Sequence, residues 1–359
     1  MDKILISDCE YIIIIALLIT SILFSLEKKS KTNSTLDIKM SNAIKGIACI
    51  AILMAHYYTM RLSPLSDSWS LSKLIGRFAA NIALVLFMFL SGYGITISEK
   101  KDEKRNLLNL ENVLKKRILK VYLPLIFVCL VALIIYTLYP FQIPFNDIEE
   151  YKLPIEVFLI NNFNNENIFS LIKFSLGWID WFIYCIICFY ILFYTAQNTA
   201  IILKIHPSII LSIFLLIYYI LSYNILGQEH AHYYRITWAF LLGNIVACHN
   251  ELTKKTISII LLIFFHTILN ENIYQQLSFL IAGIFIVLIF RINKNYTIKG
   301  NILLLLGNIS FFYYLCHIRI TYVLMYYTKI DSVLIWTLFN IVIAYVMNKL
   351  YHIIFKRNN

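Results

Sequence analysis

Residues 45–56 read Lys45-Gly-Ile-Ala-Cys-Ile-Ala-Ile-Leu-Met-Ala-His56, an apolar helix bracketed by two ionisable side chains. At about 1.5 Å per residue and 3.6 residues per turn, the two lie about 16 Å apart along the axis and, after about three turns, on one face. One cavity can therefore be lined from both ends of this helix. Read alone, the segment is equally compatible with a lysine snorkelling to the interface and a histidine buried in helix packing. The rest of the chain bears on that choice.

Of the 359 residues, 60% are hydrophobic and 14% charged, with a mean hydropathy of +0.74. Soluble domains hold about 45–50% apolar residues, so the expected fold is an all-α polytopic membrane protein. Apolar runs long enough to span the bilayer occur near 11–26, 43–60, 78–98, 118–139, 178–197, 208–226, 233–250, 256–270, 275–291, 302–327 and 331–355, which predicts about eleven transmembrane helices.

The net charge of +11 does not form a nucleic-acid arm, because the basic residues alternate with topology. Segment 27–42 carries Lys28, Lys29, Lys31 and Lys39, and 99–120 carries eight lysines and arginines. Lys204, Lys254 and Lys255, then Arg291, Lys294 and Lys299, and finally Lys356 and Arg357 continue the set. Segment 140–177, by contrast, holds Asp147, Glu149, Glu150, Glu156 and Glu166 against Lys152 and Lys173. The positive-inside rule then sets the N-terminus outside and the C-terminus in the cytoplasm of a multi-pass cell-membrane protein. The first run lacks the charge order and cleavage site of a signal peptide and reads as a retained helix. The seven cysteines are scattered and give no disulfide framework or zinc spacing; Cys185-x-x-Cys188 falls inside a span and reads as structural. His230 and His232 lack further ligands at metal-binding spacing, so no metal is expected.

Several other segments carry polar groups into or beside the membrane. Phe89-Leu-Ser-Gly-Tyr-Gly94 ends the third span, where small residues permit close helix approach or a local break. The fourth opens with Lys115-Lys116-Arg117-Ile-Leu-Lys120 before Pro124. Arg117 and Lys120 lie three apart on one face, suited to the phosphates of a ligand or of a lipid headgroup. Asp180 and Trp181 stand at the outer edge of the fifth span, and Arg235 closes a polar outer turn. The tenth span contains Gly307-Asn-Ile-Ser310-Phe-Phe-Tyr-Tyr-Leu-Cys-His317-Ile-Arg319. His317 sits about 22 Å up that helix, at a depth similar to His56.

In this order the motifs resemble the acyltransferase 3 family of membrane proteins, over about residues 40–350. The resemblance rests on Lys45 with His56, on Leu86-Phe-Met-Phe-Leu-Ser91-Gly92-Tyr93, and on Arg117, Lys120 and Pro124. Arg235 with Phe240-Leu-Leu-Gly243, and Ser310 to His317, complete it. Where many members carry Trp-x-x-x-x-Glu, aligning the tryptophan with Trp181 puts Ile186 at the glutamate position. The resemblance implies a ten-helix acyltransferase-like membrane domain over 40–355, preceded by an extra helix and cytoplasmic linker over 1–39 and followed by a cytoplasmic tail at 356–359. It implies acyl-CoA, most simply acetyl-CoA, as co-substrate, with no bound cofactor, and the hydroxyl of a surface or lipid-linked glycan as acceptor.

Acyl transfer to a hydroxyl needs a base, and histidine is the efficient one near neutral pH. His56 is expected to be that base. Lys45 acts at the same catalytic site, and Lys116, Arg117 and Lys120 bind the anionic donor. His317, Arg235, Arg319, Trp181 and Asp180 line the acceptor side or the cavity. The rival expectation is a transporter of a lipid-linked glycan, whose internal repeats and paired broken helices are not visible here.

Overall fold

The computed structural model describes residues 2–30, 35–62, 70–101, 110–138, 181–226, 232–249, 251, 254–255, 259, 273–322 and 328–355. The chain forms two compact units, one from Met1–Glu103 with Trp238–Asn359 and one from Lys104–Thr237. Along the chain run α1 (Asp2–Ser25), β1 (Leu26–Lys28), α2 (Ile38–Tyr57), a π-helical turn (Tyr58–Leu62) and α3 (Leu71–Lys101). Next come α4 (Leu110–Leu138), α5 (Trp181–Leu203), α6 (Pro207–Leu226) and α7 (His232–Arg235). The chain continues with α8 (Thr237–Cys248), α9 (Ile273–Asn295), β2 (Tyr296–Ile298), α10 (Asn301–Cys316), a second π-helical turn (His317–Tyr322) and α11 (Val333–Phe355).

Among the described residues, eight helices are long and apolar enough to cross a membrane: α1, α2, α3, α5, α6, α9, α10 with its π turn, and α11. The fourth expected span coincides with α4, whose first turns carry the basic cluster, and the seventh with the 12-residue α8. The expected run at 256–270 lies outside the described residues apart from Ile259. The chain is an all-α polytopic membrane protein.

In the first unit α2 is central, packed against α3 and α10, with α11 behind α10 and α9 beside α3. Lipid gives helices no hydrophobic reason to associate, so close backbone contact and hydrogen bonds must hold them. Glycines supply the first. A Cβ at Gly92 would lie 2.1 Å from the Phe240 carbonyl oxygen, and one at Gly243 would lie 2.1 Å from that of Phe89. The Ser-Gly-Tyr segment thus makes a close crossing of α3 and α8, and α3 continues through it without a break.

Hydrogen bonds tie the two ends of the unit. At one, β1 and β2 pair antiparallel, Leu26 opposite Ile298 and Lys28 opposite Tyr296. The Lys29 ammonium donates to the Asn293 carbonyl at 2.6 Å, and the buried Asn293 amide donates to the Thr35 carbonyl at 2.8 Å. Asp37 caps α2, its carboxylate accepting from the Lys39 N–H at 3.1 Å and from the Thr297 hydroxyl. Burial of this carboxyl opposes its ionisation, but those hydrogen bonds and the nearby Lys29 ammonium outweigh it and hold the pKa below the usual carboxylate value. Two segments of the basic set, 27–42 and 291–299, therefore meet at one end. At the opposite end Asp8 accepts from the Leu71 and Ser72 N–H groups at the start of α3, and Glu10 from the Val333 N–H at the start of α11.

In the second unit α5 packs against α6, and α4 and α7 pack against α5. The Tyr218 ring meets Phe189 edge-on at 5.2 Å, and its hydroxyl lies 3.6 Å from the Cys185 thiol. Cys185 and Cys188 are both free thiols. Pro124 lies inside α4, where its ring removes one backbone hydrogen bond.

Candidate active site

Helices α2 and α10 run side by side in a constant register. A Cβ on Gly46 would lie 2.8 Å from the Gly307 nitrogen, and one on Gly307 would lie 2.3 Å from the Asn42 carbonyl oxygen. One turn further, the Cys49 thiol donates to the Ser310 carbonyl at 3.0 Å across an offset of 261 residues. The His56 and His317 rings stand with centroids 5.1 Å apart, tilted by 42°. Residues 46 and 307, 49 and 310, and 56 and 317 all keep that offset of 261, which requires parallel helices with no slip over about three turns. Each histidine stands at a π-helical turn: His56 lies two residues before Tyr58–Leu62, and His317 opens His317–Tyr322. Such turns re-aim the residues around them and often accompany functional sites.

The surroundings of the two rings differ. His317 is 3% exposed, and its Nδ1 contacts the Tyr314 carbonyl. A carbonyl only accepts, so Nδ1 carries the proton and Nε2 is left as an acceptor. That Nε2 is buried with no hydrogen-bond partner among the described residues. His56 is half-buried. Aromatic rings wall the pair: Tyr314 lies 5.3 Å from His317, and Phe87 of α3 lies 6.4 Å from Tyr314. Arg319, 4% exposed, sits in the same π turn, its guanidinium donating to the Leu315 carbonyl at 3.2 Å. Asn340 of α11 fixes the turn by accepting from Thr321 at 2.5 Å and donating to the Tyr313 carbonyl at 3.1 Å.

Lys45 is half-buried on α2, and among the described residues it makes no hydrogen bond or ion pair. The helix is continuous from Ile38 to Tyr57, so Lys45, Cys49 and His56 stay within about 40° of one another around its axis. A cation at one end of a stripe and a histidine pair at the other, joined by a thiol and a serine carbonyl, is the arrangement this unit presents.

The remaining candidates belong to the second unit. Arg117 is half-buried and Lys120 exposed on α4, with Lys116 on the same helix. Trp181 begins α5, its ring edge-on to Phe182 at 5.9 Å. Arg235 ends α7, where Tyr234 meets Tyr219 at 5.1 Å and Tyr223 at 5.7 Å. Asp180 lies outside the described residues.

Sequence reading missed the glycine crossing, the Cys49–Ser310 contact and the aromatic wall. One signal was available: Gly46 and Gly307 each stand ten residues before a histidine, inside an otherwise apolar helix.

A family model described as an acyltransferase domain matches residues 39–347, which spans α2 through most of α11. No curated protein and no solved structure matched the chain. With the family model covering most of the chain, including both histidines and the helix pair that carries them, the protein belongs to the acyltransferase 3 family.

Proposed function

We propose that the protein is a membrane O-acyltransferase that moves an acyl group, most simply acetyl, from cytoplasmic acyl-CoA to a hydroxyl of a surface or lipid-linked glycan. The observation that supports this reading is the His56–His317 pair at 5.1 Å, with Lys45 on the same helix stripe. In the proposed reaction His56 takes the acceptor hydroxyl proton as the oxygen bonds to the acyl carbon. The thioester C–S bond breaks, and the proton passes from His56 to the departing CoA sulfur. His317, held as its Nδ1–H tautomer by Tyr314, packs its ring beside His56, and its unpartnered Nε2 is the proposed acceptor for the His56 imidazolium. Lys45 contributes a cation for the anionic donor, and Lys116, Arg117 and Lys120 are further candidates for its phosphates. Arg235, Arg319 and Trp181 are retained as candidates on the acceptor side.

The end that carries β1 and β2 with the basic segments 27–42 and 291–299 is read as cytoplasmic, and the end with Asp8 and Glu10 as external. Membranes containing the protein, incubated with radiolabelled acetyl-CoA, should transfer label into glycan. Membranes carrying the His56→Ala variant should not. Absence of label with the wild type, together with movement of a labelled lipid-linked glycan across the bilayer, would assign the chain to transport instead.

A further inference from the structure

The family match begins at residue 39, so α1 lies outside it. Most of this helix looks like a lipid-facing accessory: Leu23 is 67% exposed and Phe24 89%. Its first turns differ. Tyr11 is fully buried, and its hydroxyl donates to the Met54 carbonyl at 2.6 Å. Met54 is two residues before His56. The same carbonyl receives the Tyr58 N–H, which it shares with the Ala55 carbonyl where α2 passes into its π turn. Tyr11 thus inserts a donor into the backbone ladder at the point where helix geometry changes around the histidine. A hydroxyl competing for a ladder carbonyl alters the local helix path.

The neighbouring acids on α1 hold it in place. Asp8 caps α3 through the Leu71 and Ser72 N–H groups at 3.2 and 2.8 Å, and Glu10 accepts from the Ser332 hydroxyl at 2.6 Å and the Val333 N–H at 2.8 Å. Carboxylates at helix N-termini satisfy orphan donors and oppose the helix dipole favourably. Residues 8, 10 and 11 therefore join the starts of α3 and α11 to the end of α2, where Tyr11 reaches the Met54 carbonyl and Ser7 hydrogen-bonds the Tyr57 side chain beside His56.

We propose that Tyr11 is a positioning residue for acyl transfer, acting through the Met54 carbonyl to set the α-to-π transition that orients His56. This rests on the reading of His56 as the base. The acids Asp8 and Glu10 anchor the helix, and the hydroxyl of Tyr11 transmits its position to the site.

The test compares Tyr11→Phe, which keeps the ring and removes only the hydroxyl, with Asp8→Asn and His56→Ala in purified full-length protein. Turnover, donor KM and melting temperature in detergent are measured for each. Tyr11→Phe should lower kcat by about tenfold with donor KM unchanged, because a displaced base costs the chemical step and not donor binding. Its melting temperature should fall no further than that of Asp8→Asn, which should keep a near-normal kcat per folded molecule. Tyr11→Phe turnover within about twofold of wild type overturns the proposal, as does a loss equal to that of Asp8→Asn at equal destabilisation. If His56→Ala remains active, the underlying reading of the base fails instead, and that result is separate from either outcome for Tyr11.

Discussion

The α2–α10 pair is built differently at its two ends. At Gly46 and Gly307 the backbones touch and side chains are excluded, whereas at His56 and His317 the same register places two tilted imidazoles side by side. Close glycine packing is useful in a membrane because dispersion replaces the absent hydrophobic drive. It also fixes the register, so that groups ten residues further along meet without slack. On the proposed function, one end supplies assembly and the other chemistry.

The largest expected effect lies at the histidine end. His56→Ala should reduce turnover by about 10²–10⁴ while the protein still inserts and melts normally. Retention of more than about a tenth of wild-type turnover would move the base to His317 and break the division. At the glycine end the order of effects should reverse. Gly307→Ala forces a methyl onto the Asn42 carbonyl, and overpacking of this kind costs about 1–3 kcal/mol. Melting temperature should fall before activity per folded molecule does. Gly94→Ala is the control, since a Cβ there meets nothing within 4 Å, and it should melt at or above the wild-type temperature.

Lys45 adjoins the glycine crossing yet is assigned a functional part, so it tests where the boundary falls. Lys45→Ala should raise donor KM by about tenfold with a smaller change in kcat, and Lys45→Arg should retain more activity because the charge persists. A Lys45→Ala variant with normal donor KM but a lower melting temperature would place this residue with the assembly end. The smallest effect concerns Asp37, just below the pair. Its carboxyl has a depressed folded-state pKa, so the stability it contributes is complete above the unfolded value of about 3.9 and is lost as pH falls through the folded one. Melting temperature measured from neutral to acidic pH should show this loss in the wild type, and Asp37→Asn should remove that part of the slope.

The fold class was legible because bilayer solvation writes itself into composition and run length, and two of the basic segments expected on one side, 27–42 and 291–299, meet at β1 and β2. Lys45 and His56 were legible because charge in an apolar helix is rare. The pairing of His56 with His317 was only half legible: their similar depth followed from counting, but the register depends on two glycines hundreds of residues apart. Asp8, Glu10 and Tyr11 gave no sequence signal, since two acids near the start of an apolar run look like ordinary interfacial residues until the helix starts they cap are in view. The expected cavity-lining Asp180 lies outside the described residues, and Arg117, Arg235 and Trp181 fall in the second unit.

The offset of 261 residues between matched positions also sets a clock during biosynthesis. At about 5–20 residues per second, His56 leaves the ribosome on the order of 13–50 s before His317. For that interval Lys45, His56 and the bare glycine face of α2 have no α10 to meet. Over the same period β1 waits for β2, so α1 cannot be tied at that end until the last third of the chain arrives. The nascent protein must therefore shelter a polar stripe from lipid for tens of seconds, which makes the insertion machinery, or the early helices α1 and α3, its temporary partner.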